Sequence, residues 1–188
     1  MKGVPGSMKL LLILTGYVFF FGIQSASAVD VNIKITGEIY TPPCNINNGA
    51  DINVDFGEMS LHDVNGVNNS VVKVVDVMCD YYQGTPYIRI DGTVLPGAAD
   101  NVLKTTGVNA SILGIALYQG EGVNASLPLK IGAGEQGIYG YKITHGLAVQ
   151  NTASTRFTFT SVPYKLNSSE KLNAGEFSAT ATMSIAYL

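Results

Sequence analysis

Two cysteines, two histidines, two arginines and one glycine triplet are the residues of this 188-residue chain whose spacing could do distinctive chemistry. Cys44 and Cys79 could close a disulfide, hold a soft metal or run a redox cycle. They are not spaced C-x-x-C and no histidine lies near either, so metal and redox roles do not fit. His62 and His145 stand in no motif with a carboxylate or a nucleophile, and they read as solvated loop residues rather than parts of a triad or a zinc site. Gly132-Ala133-Gly134-Glu135-Gln136-Gly137 matches the dinucleotide pattern G-x-G-x-x-G. That pattern needs a helix after it. Ile138 to Ile143 instead alternates like a strand, so the run reads as a glycine-rich connection. Arg89 and Arg156 are the only arginines and there is no basic run, which argues against nucleic acid as partner. Asn68, Asn109, Asn124 and Asn167 begin N-x-S/T triplets and mostly mark polar turns. The expectation is a non-enzyme with no cofactor, no metal and no small-molecule substrate.

The elements that position these residues begin with a leader. Lys2 and Lys9 precede an apolar run from Leu10 to Ile23, and Ala26-Ser27-Ala28 follows as a small-x-small cleavage site. This is the anatomy of a secretory signal over residues 1–28, whether translation starts at Met1 or Met8. The run is shorter than the roughly 20 residues of a spanning helix. All fourteen acidic residues lie beyond the leader while two of the eleven basic ones fall within it, so the exported part is anionic. In an exported protein a pair of cysteines reads as a disulfide, here Cys44 with Cys79. Closing that loop stabilises by about 3–4 kcal/mol in the chain-entropy model.

Beyond the leader no window sustains helical periodicity. Short alternating runs rich in Val, Ile, Thr and Tyr dominate: Val31 to Ile35, Val71 to Val77, Tyr87 to Ile90, Ile112 to Tyr118, Tyr139 to Ile143 and Arg156 to Val162. Turn signals such as Asn47-Asn48-Gly49, Asn65-Gly66, Asp91-Gly92 and Pro96-Gly97 separate them. Many short strands at this spacing predict one all-β sandwich domain. Asn45 to Asp51 and Ser60 to Ser70 read as loops.

Two segments stand apart. Val29, Val31, Ile33, Ile35, Gly37 and Ile39 alternate with Asp30, Asn32, Lys34, Thr36 and Glu38, one face apolar and one polar. Taken alone, this reads more readily as an ordinary first strand of the chain's own sandwich. After Gly175, the residues Phe177, Ala179, Ala181, Met183, Ile185 and Tyr187 alternate with small polar ones up to Leu188. A strand at the end of a chain frays unless it is tied down.

These features together resemble the chaperone–usher pilins. Gly175 stands fourteenth from the end and Tyr187 is penultimate. Gly37 precedes Cys44 by seven positions, and the cysteine pair is spaced as in that family. Ile39 to Gly49, Gly114 to Gly120 and Phe157 to Tyr164 look like the small tip-adaptor class. The resemblance implies an incomplete immunoglobulin-like β-sandwich that lacks its seventh strand and is completed by a donated one. It implies a donor extension at residues 29–39 and a pilin domain at 40–188. Val29, Val31, Ile33, Ile35, Gly37 and Ile39 would enter a neighbour's groove, with Gly37 either allowing close approach or clearing a bulky acceptor residue there. Gly175, Phe177, Ala179, Ala181, Met183, Ile185, Tyr187 and Leu188 would flank the chain's own groove and touch a periplasmic pilus chaperone. The other partners implied are the outer-membrane usher, an adhesin and neighbouring pilus subunits, on a pilus reached through the periplasm. Five apolar side chains buried by exchange contribute on the order of 8–15 kcal/mol as an upper estimate. The implied role is a tip adaptor, with a self-polymerising rod pilin as nearest alternative and an adhesin behind it.

Overall fold

The computed structural model describes residues 31–188. The expected leader and Val29 lie outside the described residues. The chain divides into two units, Met1–Glu38 and Ile39–Leu188. In the first, residues 31–38 form no helix or strand, and Val31, Ile33 and Ile35 are exposed. The alternation of Val31 to Ile35 is therefore not spent on a strand of the chain's own sheets.

The second unit is all-β. Its strands are β1 (Asn45–Ile46), β2 (Val71–Met78), β3 (Pro86–Asp91), β4 (Val102–Lys104), β5 (Leu113–Gln119), β6 (Tyr141–Lys142), β7 (Ser154–Lys165) and β8 (Thr182–Tyr187). They form a five-stranded sheet in the order β1-β2-β7-β5-β4 and a three-stranded sheet in the order β6-β3-β8. All these pairings are antiparallel. The central pair runs from Val71 opposite Ser161 to Met78 opposite Ser154. Period-2 alternation sends Val75 and Val77 inward with Phe157 and Phe159, while Val72, Val74 and Met78 face out. From the smaller sheet Ile88, Ile90, Ile185 and Tyr187 meet them, giving one core between two layers. The outer face of β5 and β7 is also covered: Leu95, Val102, Ala116 and Val162 form a second cluster, with Tyr118, Val123 and Leu166 against it.

Two expectations shift in detail, and a third holds. Asn45–Ile46, read as loop, pairs with Val77 and Met78 of β2 before a 3-10 turn at Asn47–Gly49. The run from Tyr139 to Ile143 pairs only at Tyr141–Lys142. Ahead of it lie a 3-10 turn and Gly140 at φ +84°, where an added Cβ would strike the Ile88 backbone, so the chain cannot stay extended. The G-x-G-x-x-G run leads into that turn and strand rather than a helix, and its three glycines all have positive φ.

Cys44 and Cys79 are disulfide-bonded, with Cα atoms 4.3 Å apart. The Cys44 N–H donates to Ile185 O at 2.7 Å, whereas the next two residues pair with β2. The chain thus touches one sheet at Cys44 and the other at β1.

Candidate functional site

Between two segments, residues 50–59 and 174–183, runs a groove of about 1360 Å³. Sequence alternation builds both walls. On the first, Ile52, Val54 and Phe56 are half-buried against the core while Asp51, Asn53 and Asp55 are exposed. On the second, Phe177, Ala179 and Met183 pack on the core while Glu176, Ser178 and Thr180 are exposed. The floor comes from four strands: Ile90 of β3, Leu103 of β4, Ile115 and Leu117 of β5, and Phe159 of β7. The Phe56 and Phe177 rings approach across one end, 6.2 Å between centroids. A smaller pocket of about 150 Å³ continues there past Met59, lined by Leu61, Val64, Leu113 and Leu172.

The backbone of these walls is unusual. Among the described residues, 52–59 make no backbone–backbone hydrogen bond, although Ile52, Val54, Phe56 and Met59 are partly buried; the chain bends at Gly57–Glu58, with Gly57 at φ +60°. Along 175–181 the one backbone pairing is Ser178 O, which accepts from Thr106 N–H at 2.7 Å. That bond lies on the side held by the loop at 105–109. The Asn109 side chain strengthens the same side by exchanging two bonds with the Asn173 backbone, at 2.8 and 2.9 Å. The loop comes close enough that Gly107, at φ +92°, leaves no room for a Cβ beside the Glu176 carbonyl, and a Cβ on Gly175 would sit 2.9 Å from Val108 Cγ2. Unpaired strand backbone over an apolar floor is a template for another strand, which supplies the missing hydrogen bonds and buries alternate side chains.

The predicted C-terminal residues divide in two. Gly175, Phe177, Ala179, Ala181 and Met183 line the groove. Ile185 and Tyr187 lie past its end in the closed core, 0% and 2% exposed. There β8 pairs with β3, Ile185 opposite Ile88 and Tyr187 opposite Pro86. Leu188 is exposed, yet its backbone exchanges two hydrogen bonds with Thr85. Burial pushes the Tyr187 hydroxyl above its ordinary pKa, with the Asn151 backbone pulling the other way. Sequence reasoning missed the wall at 50–59. Ile52-Asn53-Val54-Asp55-Phe56 does alternate with period 2, and that signal could have found it. Of the predicted donor residues, Val31, Ile33, Ile35 and Ile39 are exposed, and Gly37 is not in the left-handed region, so its backbone does not demand glycine. Val29 lies outside the described residues.

The sequence profile of the family described as "Fimbrial protein" matches residues 33–188. Over 162 residues the chain is 43% identical to "Fimbrial adapter PapF" of Escherichia coli, covering 86% of this chain and 90% of that protein. Identity and coverage are the same for "Minor fimbrial protein PrsF" of Escherichia coli. Among solved structures, the P pilus adaptor subunit PapF superposes with a TM-score of 0.53 at 36% identity, covering 80% of this chain and all of that one. The P pilus rod subunit PapA gives 0.56 at 20% identity, covering 84% of this chain and all of that one, which is a likeness of fold alone.

Proposed function

Because this chain belongs to the fimbrial protein family, with the immunoglobulin-like all-β fold of pilins, we propose that it is a minor tip adaptor of a surface pilus. Its partners as a pilus subunit are other subunits of the fibre. In this reading residues 1–28 are a cleaved export signal and residues 40–188 the pilin domain. The groove first takes a strand from a periplasmic chaperone, and at the outer-membrane usher it takes the extension of the next subunit. Residues 29–39 enter the groove of an adhesin, with Val29, Val31, Ile33, Ile35, Gly37 and Ile39 inward. The role is structural, without catalysis.

The observation that carries the reading is the groove itself, with two walls whose backbone is unpaired toward each other over an apolar floor. The exposed alternation of Val31, Ile33, Ile35 and Ile39 is its natural complement. The 43% identity to an adapter and to a minor fimbrial protein favours adaptor over rod. Mixing purified chaperone–subunit complexes tests this. An adaptor donates to the adhesin and does not polymerise with itself; deleting residues 29–38 abolishes the donation and leaves chaperone binding intact. Rapid self-polymerisation into homogeneous fibres, with no preference for an adhesin, would overturn the adaptor role and leave a rod pilin.

A further inference from the structure

Resting on the reading of the groove as a strand acceptor, we infer that its rim selects the donor by charge. The favoured occupant is an extended segment with apolar inward positions and Lys or Arg at its outward positions, and a second copy of this chain is a poor donor. The first wall alternates inward Ile52, Val54 and Phe56 with outward Asp51 and Asp55, and Glu58 follows. On the opposite wall Glu176 is exposed beside the inward Phe177. No lysine or arginine lines the groove. Among the described residues the ion pairs are Arg89–Asp91 and Lys130–Asp100, so none of these four carboxylates has a cationic partner.

A strand laid between the walls puts every second side chain on the same outward face as Asp51, Asp55 and Glu176, with Cβ atoms about 4.5–5.5 Å from their cross-strand neighbours, while Glu58 is exposed beyond the bend at Gly57. At that separation opposite charges stabilise the pairing and like charges oppose it. Beside the fit of the inward residues to the floor, the outward face is a second place where donors differ and can be discriminated. The chain's own extension presents Asp30, Asn32, Lys34, Thr36 and Glu38 there, two acids against one base. Insertion of a second copy would set a net negative face against a negative rim. Because the carboxylates are exposed, the selection acts mainly on the association rate and is screened by salt.

Three peptides spanning residues 29–39 test this: the parent sequence, a basic one (Asn32→Lys, Thr36→Lys, Glu38→Lys) and an acidic one (Asn32→Glu, Lys34→Glu, Thr36→Glu). Each is offered to the chaperone-held subunit and its rate of incorporation is measured. At low salt the basic peptide should enter about tenfold faster than the acidic one, with the parent between them, and the ratio should fall toward one near roughly 0.5 M salt. The variant D51N/D55N/E58Q/E176Q, altered only at exposed positions, should lose the preference at low salt. Equal low-salt rates for the basic and acidic peptides, or a preference that survives in that variant, would overturn charge selection and leave the groove reading standing. A parent peptide as fast as the basic one would remove the bar to self-insertion. Failure of all three to enter would overturn the groove reading and this inference with it.

Discussion

The last fourteen residues, from Gly175 to Leu188, carry one continuous alternation with two fates. From Thr182 to Tyr187 the backbone pairs with β3, and Ile185 and Tyr187 are sealed in the core. From Gly175 to Ala181 the same pattern borders an open groove, with one backbone pairing and Phe177 only half-buried. Alternation dictates which face a strand buries. It does not say whether the neighbouring strand belongs to the same chain, since either source of a partner satisfies the same hydrogen bonds.

The sharpest break of this comparison is a charge placed in each half. Ile185→Asp sets a carboxylate at a fully buried site and should abolish recovery of folded subunit, while Ile185→Ala should cost about 2–5 kcal/mol. Ala179→Asp should leave the folded body resistant to protease in its closed half and block strand acceptance. Equal collapse in both variants, judged by limited proteolysis in cell extracts, would mean that the two halves are one cooperative strand.

Next in size is the disulfide, which fastens the closed region. Cys44→Ser with Cys79→Ser should lower stability by about 3–4 kcal/mol, read as a drop in urea midpoint and in yield of folded protein. Phe177→Ala in the open half should cost less, about 1–2 kcal/mol, because the ring is half-exposed and meets Phe56 at a tilt. Its larger effect should be on the rate at which strands enter that end of the groove. The smallest effect expected is Thr106→Ala. This removes the hydroxyl contact to Ser178 but keeps the main-chain bond, and about 0.5–1 kcal/mol should suffice to describe it. A loss as large as that from the disulfide would show that the loop at 105–109, not the core, holds the open half in place.

The closed half and the central strands were legible in the sequence. Val71 to Val77, Tyr87 to Ile90 and Arg156 to Val162 are dense in β-branched and aromatic residues, and local patterning fixed their faces. The pairing of Cys44 with Cys79 was legible because there was one choice. The groove was legible only along one wall. Its other wall, Ile52 to Phe56, lies more than a hundred residues earlier, between two polar stretches, and its five residues of alternation gave no hint of what they would face. The floor draws Ile90, Leu103, Ile115, Leu117 and Phe159 from four strands. Only the sheet order brings them together, and sheet order is a non-local property that periodicity does not carry. The Tyr139 run failed for the opposite reason: a single glycine requirement at position 140 overrode a fair alternation.

The place of Cys44 has a mechanical consequence. Any pull along residues 39–43 enters the body at this cysteine. The paired segment behind it, Asn45–Ile46, spans two residues and by itself would peel away one bond at a time. The sulfur bridge routes the tension to Cys79 instead, at the end of an eight-residue strand that lies flat along β7. To yield there, the load must act on a strand held by eight cross-strand pairs rather than on one held by two. A thread drawn from this end therefore meets its resistance in the middle of the larger sheet, well away from the surface where it is gripped.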